Sequence, residues 1–291
     1  SKGKVDLLFV EAAVNDLANK TPAAQQQKAM EGIIRHALTA NPYMNIILMA
    51  FADEDKIRDY RNGKAPAEVA LHDQLAKYYK LSFLNLAQEV QQRIANKEFT
   101  WKDDFKDLHP SPFGQEIYFQ TIKTLLKNVA GQYRNESLVK SILPAVQNKG
   151  YYGSGRYVSV DKATALKGFS VTPNWQPNDK AETRARFVHV PVLEANQPGA
   201  SFSFTFTGNA AGIAIVAGPD AGMIKYSVDG KPDKVMDLYT QWSGGLHLPW
   251  YLVLADGLPK GKHILKVQIT AQKNKDSKGN ACRIVYFLVN E

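Results

Sequence analysis

The chain reads as two domains of different class: an α/β domain with a parallel sheet over residues 1–145, then an all-β sandwich of jelly-roll type over residues 146–291. Three observations predict this. Apolar strand-like runs alternate with helix-period segments as far as about residue 130. The pattern then changes to short period-two runs separated by turn residues. A Gly-containing junction, Tyr151-Tyr152-Gly153-Ser154-Gly155, lies where the character changes.

In the first half, Val5-Asp6-Leu7-Leu8-Phe9-Val10 is a continuous apolar run of the kind expected for a strand buried on both faces. Thr21-Pro22 supplies an N-cap and first-turn proline, Met30, Ile33, Ile34, Ala37 and Leu38 follow at helical spacing, and Asn41-Pro42 stops the helix. Asn45–Phe51 is a second buried strand, Pro66–Tyr79 a second amphipathic helix, and Leu81–Leu86 a third strand leading into a helix over Ala87–Asn96. Ser111-Pro112 caps a last long helix, with Ile117, Tyr118, Ile122, Leu125 and Leu126 on its apolar side. Strands separated by helices predict a parallel sheet with right-handed crossovers, whose chemistry gathers at the carboxyl ends of the strands.

In the second half, Ser201–Thr207 alternates strictly, with Phe202, Phe204 and Phe206 on one face. Gly212–Val216, Ile224–Val228, Tyr251–Ala255, His263–Thr270 and Arg283–Val289 continue the pattern. Asp229-Gly230 marks a hairpin, and Asp256-Gly257 and Gly261 mark later turns. Such spacing predicts a sandwich.

Charge excludes one class of partner. Residues 1–130 hold 17 Lys and Arg against 16 Asp and Glu, and residues 131–291 hold 19 against 12. The excess in the second half is scattered, with only Lys273–Lys278 as a cluster, so the basic stripe interleaved with aromatics that nucleic acid requires is missing. No apolar run approaches the ~20 residues that span a bilayer, and no signal peptide is visible, so a mature or trimmed chain is expected. The single cysteine, Cys282, lies in a strand-like run and reads as a buried thiol. No metal cluster, phosphate loop or cofactor motif appears, and no cofactor is expected.

Two motifs carry chemistry. Asp107-Leu108-His109-Pro110-Ser111-Pro112-Phe113-Gly114 places a histidine two residues after a carboxylate, just ahead of a helix. This is the base half of a nucleophilic-catalysis set. Ala13-Val14-Asn15-Asp16 places an amide just past an apolar strand, where it can hold a developing oxyanion, although Asn15 or Asp16 can equally cap a turn. Of the other histidines, His36 and His72 fall in helices and His189 and His263 in strands. His247 competes only as a lining residue of a glycan site with Trp242 and Trp250, packing at a sandwich edge being the commoner outcome.

Taken together, Leu7–Asp16 resembles the third block of the SGNH (GDSL-like) hydrolases, and Asp107–Gly114 resembles their fifth, Asp-x-x-His-Pro before a helix. The resemblance covers residues 4–130, and the downstream sandwich is similar to accessory domains of polysaccharide-active members. It implies a partial, flavodoxin-like three-layer SGNH domain. It also implies that Asn15 donates to the oxyanion hole and His109 is the general base of a serine esterase. The implied substrate is an acetylated polysaccharide or oligosaccharide, and the implied location is secreted or periplasmic.

Three departures bear on this. Ala13 stands where the family has Gly. The acid precedes the histidine by two residues, as Asp107, with Asp104 as the alternative partner. The Gly-Asp-Ser block with the nucleophile is not seen: Gly153-Ser154-Gly155 lacks elbow spacing, Ser111 reads as a helix cap, and Ser243 as a turn residue. Without the strand that pairs with Val5–Val10, a buried-type parallel strand exposes its ladder. The expectation is therefore that about a third of the catalytic domain comes from elsewhere: a missing N-terminal segment, a partner chain, or a swapped copy. As given, the chain is expected to be catalytically crippled. The rival reading is a non-catalytic carbohydrate-binding protein that stacks sugars on Trp175, Trp242, Trp250 and nearby tyrosines.

Overall fold

The computed structural model describes residues 5–132 and 139–291, so Ser1–Lys4 and residues 133–138 lie outside it. Two compact units divide at Gly153/Ser154. The boundary expected at residue 145 moves because residues 141–153 lace onto the first unit. Glu31, fully buried, accepts from the backbone N–H groups of Gln147 at 2.8 Å and Asn148 at 2.9 Å, from the Asn148 amide at 2.7 Å, and from the Tyr79 hydroxyl at 2.5 Å. Burial alone would raise the Glu31 pKa, but these donors outweigh it and hold the carboxyl below its usual range. Ser141 N–H bonds Pro42, and Arg35 donates to the Pro144 carbonyl.

The first unit alternates strand and helix: β1 Leu7–Glu11, α1 Ala13–Ala18, α2 Ala23–Ala40, β2 Asn45–Ala50, α3 Glu54–Arg61, α4 Ala67–Tyr79, β3 Ser82–Asn85, α5 Leu86–Ala95 and α6 Pro112–Gln132. The sheet is parallel in the order β1-β2-β3, with Leu7 opposite Asn45 and Ile47 opposite Ser82. Two apolar layers cover it. Met30, Ile34, Leu38 and Leu75 pack with Ile46 and Leu48 on one face, and Leu86, Val90, Phe105 and Ile117 with Ile47 and Met49 on the other. A three-layer α/β domain follows from that arrangement.

The first strand, of buried type in its sequence, is left partly exposed, as expected for a run lacking its second neighbour. Every residue of β1 is half-buried or exposed, because among the described residues only β2 pairs with it. Two helices were not expected. Helix α1 begins directly after β1, and α3 is almost wholly charged, held at its start by the Asp53 carboxylate accepting from Lys56 N–H at 2.8 Å.

The second unit is a sandwich of twelve strands: β4 Gly155–Ser159, β5 Ala163–Lys167, β6 Ser170–Thr172, β7 Glu182–Thr183, β8 Val192–Ala195, β9 Ser201–Gly208, β10 Ala210–Ala217, β11 Met223–Val228, β12 Lys234–Asp237, β13 Leu246–Ala255, β14 Gly261–Ile269 and β15 Cys282–Asn290. One sheet runs β6-β8-β15-β10-β13-β7 with β4 also on β15, and the other runs β12-β11-β14-β9-β5. Phe202, Phe204 and Phe206 alternate inward as the period predicts and meet Ile213, Ile215 and Phe287. Phe204 stacks on Phe287 with centroids 3.9 Å apart.

Asp229 (φ 54°) and Gly230 (φ 70°) form the expected hairpin turn between β11 and β12, both in the left-handed region that Asp-Gly tolerates. Cys282 is buried and free, and burial pushes its thiol up to about 12. His189 is not in a strand: it lies in a loop at φ 58°.

Candidate active site

The carboxyl end of the parallel sheet is built from the segments that leave β1 and β2 and from the entry to α6. Glu11, the last residue of β1, ties the first two together: its Oε1 accepts from Val14 N–H at 3.2 Å and Phe51 N–H at 3.4 Å. Burial holds the Glu11 carboxyl above the usual carboxylate range despite those donors and the nearby Lys56 charge. Lys56 is itself fully buried and paired with Asp53. The third element arrives through Tyr118 of α6, whose hydroxyl accepts from Ala52 N–H at 2.8 Å while its ring stacks on Phe51. Burial raises that hydroxyl's pKa, so it stays neutral.

Asn15 lies within α1, one turn past Glu11, rather than in the loop expected after the strand. Its side chain is exposed and has no hydrogen-bond partner among the described residues. The next residue, Asp16, is half-buried, and burial raises its carboxyl. Ala13, where the family pattern has Gly, is fully buried at the start of α1.

His109 sits in the loop ahead of α6 with its side chain 89 % exposed. That loop is rigidly pinned. Thr100 starts a π-helical turn over Trp101–Phe105, and the Asp104 carboxylate accepts from Thr100 N–H at 2.8 Å and its hydroxyl at 3.1 Å. Ser111 Oγ donates to the Asp104 carbonyl at 2.5 Å and accepts from Gly114 N–H at 3.3 Å, which makes it the cap expected of it. Gly114 has its own reason: a Cβ there would fall 2.7 Å from Pro110 Cβ and 2.8 Å from the Phe105 ring. The α6 start thus abuts the Pro110 corner and sets the His109 backbone.

Of the two candidate acids, Asp104 is engaged with Thr100. Asp107 lies beside the histidine, its Oδ1 taking the His109 backbone N–H at 2.5 Å and standing 3.7 Å from Nδ1. That separation permits ion pairing with a protonated ring but is too long for a hydrogen bond to a neutral one.

The serines weighed from sequence have other roles. Ser111 is a cap, Ser243 is fully buried and bonded to Thr240, and Ser154 N–H donates to the Asn290 side chain at the start of the sandwich. Sequence reading missed Glu11, the Asp53–Lys56 pair and Tyr118 as supports. Only Asp53-x-x-Lys56 had a local signature, the spacing of an N-cap and its first turn.

In the second unit the expected tryptophan platform is not assembled. Trp175 is 4 % exposed and packs on His247, which is buried with Nε2 3.0 Å from Asp179, while Trp242 stands exposed by itself. A polar cavity of about 530 Å³ lies beside Trp175, lined by Thr172, Asn174, Glu194, Asp220 and Arg283 among others. Its walls are held by Arg283, which forks onto Asp220 at 2.7 and 2.6 Å. Among the described residues, no group of three or more His, Cys, Asp or Glu is placed to hold a metal ion, and no helix is long and apolar enough to cross a membrane.

Comparison with known proteins adds to this geometry. Residues 1–117 match the model of the GDSL-like lipase/acylhydrolase family. Among solved structures, a two-domain esterase active on acetylated mannans, co-crystallised with mannopentaose, matches over 98 % of this chain and 72 % of its own. Its TM-score is 0.71 at 18 % identity. A second crystal structure, of a two-domain esterase active on acetylated mannans, matches with a TM-score of 0.71 at 17 % identity, over 98 % of this chain and 73 % of its own. At such identity the likeness establishes the fold, an α/β domain followed by a sandwich. No curated protein matches the sequence.

Proposed function

We propose, from the match of residues 1–117 to the GDSL-like lipase/acylhydrolase model, that the protein is a secreted or periplasmic serine esterase that removes acetyl groups from a polysaccharide through an acyl-enzyme. The observation that carries this is the pinned, solvent-open His109 at the entry to α6, the helix whose Tyr118 hydroxyl accepts from Ala52 N–H just past the carboxyl end of β2. His109 takes the serine proton as the hydroxyl attacks the ester carbonyl, then gives it to the departing sugar hydroxyl. In the second half-reaction it activates water against the acyl-enzyme. Asn15 donates its free amide to the tetrahedral oxyanion, and Asp107 steadies the imidazolium as charge develops. The fold shared with an acetylmannan esterase supports an acetylated glycan as the substrate class.

We place the nucleophilic serine on a strand outside the described residues that adds to the open edge of β1, supplied in cis, by a second polypeptide or by a second copy. Two observations support this: among the described residues the outer ladder of β1 is unpaired, and the hydroxyls of Ser111 and Ser243 are engaged in a helix cap and a buried turn. The experiment is acetate release from an acetylated mannan by the native protein bearing that strand. His109→Ala is expected to lower kcat by about 10²–10⁴-fold and Asn15→Ala by about 10²-fold or more, with KM little changed. Unchanged turnover in His109→Ala would overturn the proposal.

A further inference from the structure

The outer face of the larger sandwich sheet carries four aromatic rings, none of them a tryptophan. Ladder register puts Tyr286 of β15 and Tyr251 of β13 on either side of Ala214 of β10. Phe287 and Trp250 pack against the core, so their neighbours Tyr286 and Tyr251 face outward. The small Ala214 leaves a gap between the two tyrosines. Phe187 fills it, edge-on to both with centroids 5.9 Å away. Tyr157 of β4 stacks on Tyr286 at 4.8 Å with 23° between planes.

A cross-strand aromatic ladder can exist only to secure an edge strand such as β4. Three features exceed that need. Tyr157 and Tyr251 remain 57 % and 45 % exposed, so their rings still offer surface to solvent. Phe187 is delivered at φ 67° and His189 close behind it at φ 58°, a left-handed backbone that costs bulky residues free energy and that clusters at binding sites. Exposed Arg184 and Arg186 flank the cluster on the same loop, with the Arg186 charge felt by Tyr157, adding donors to an apolar face.

The dimensions choose the occupant. At ~150–250 Å² per aromatic side chain and about half of it open, the patch offers on the order of 300 Å². A stable protein partner needs about 800 Å² per side. What fits is a narrow chain with apolar C–H faces and a hydroxyl rim.

We propose that Tyr157, Tyr251, Tyr286 and Phe187 form a stacking platform for a neutral polysaccharide chain, an assignment that takes its substrate class from the esterase reading above. Pyranose C–H faces lie on the open faces of Tyr157 and Tyr251, and ring hydroxyls meet the tyrosine hydroxyls and the Arg184 and Arg186 guanidinium groups.

Isothermal titration calorimetry of the whole chain with mannopentaose, xylopentaose and polygalacturonate tests this. The platform predicts saturable binding of a neutral pentasaccharide, weakened at least fivefold by Tyr251→Ala and by Tyr157→Ala. Tyr157→Phe, which keeps the stacking face, should stay within threefold. Thermal melts identify a variant that has lost β4, and Tyr251→Ala carries the test if Tyr157→Ala is such a variant. No binding of either neutral probe, binding unaffected by both Ala variants, or a preference for polygalacturonate would overturn it. Failure of the esterase reading is separately visible. It would appear as His109-independent turnover with tyrosine-dependent binding intact, whereas failure of the platform leaves 4-nitrophenyl acetate hydrolysis by the native protein sensitive to His109.

Discussion

Strands β1 and β2 are both mostly apolar, Leu-Leu-Phe-Val-Glu against Asn-Ile-Ile-Leu-Met-Ala, yet they occupy different environments. In β2, flanked by a parallel neighbour on each side, Ile46 through Ala50 are all buried. In β1, with one neighbour among the described residues, none is, and Leu7 is 38 % exposed. Apolar content therefore reports what a strand is suited to, and sheet position decides whether the burial is realised. A run like β1 at an edge has a free ladder and apolar surface, the condition that proteins ordinarily cover. The proposal that a further strand brings the nucleophile rests on this contrast.

The largest expected effect separates the two strands directly. Leu48→Ala in β2 should cost about 2–5 kcal/mol in urea unfolding, and Leu8→Ala in β1 about 1 kcal/mol or less. Equal costs would break the comparison. A rise in the Leu8 cost when the native protein supplies a covering strand would sharpen it.

Next comes the link between the strands. Glu11→Ala removes the acceptor for Val14 and Phe51 N–H and should cost about 1–3 kcal/mol, with amide exchange speeding up around Val14–Asp16 more than in β2. Unchanged exchange there would mean that Glu11 does not hold the Asn15 segment.

The smallest effect lies in the sandwich, at the Asp229 turn that follows β11. His263 faces acceptors on both ring nitrogens, the Asp229 carboxylate at 2.6 Å and the Pro259 carbonyl at 2.8 Å, an arrangement that favours the protonated ring. The Asp229 hydrogen bond, then that of Pro259, raises its pKa above the ordinary 6.5. A raised histidine contributes stability fully below that ordinary value and loses it as pH climbs through the folded value. The sandwich melting temperature should therefore fall as pH rises above about 6.5, and His263→Gln should flatten that dependence. A profile identical in the variant would remove the ion pair from the account.

Much of the architecture was legible because it has short-range signatures. The strand–helix alternation, the Phe202-Phe204-Phe206 period and the Asp229-Gly230 turn are all written within a few residues. Helix α3 was not, because its buried face consists of Ile57 and a charged Lys56 and so shows no apolar period. Its acidic first turn and basic last turn were the available sign. Helix α1 has six residues and no side-chain cap, which is why Asn15 read as a loop residue. The burial of Glu31 depends on residues more than a hundred positions away, beyond any window. The tyrosine cluster is likewise invisible locally, since only ladder register unites Tyr157, Tyr251 and Tyr286. For the site, the Asp107–Gly114 pattern was readable as a motif. The length of the Asp107–His109 approach, the capping of Ser111 and the occupation of Asp104 were not.

The most direct measurement is hydrolysis of 4-nitrophenyl acetate by residues 1–291, with and without an added Gly-Asp-Ser-bearing strand, each compared with His109→Ala and Asn15→Ala at matched circular dichroism. The account predicts background rates for the chain alone. With the strand supplied, it predicts turnover that both substitutions abolish. Turnover by the chain alone that depends on His109 would place the nucleophile within it and contradict the open-edge assignment.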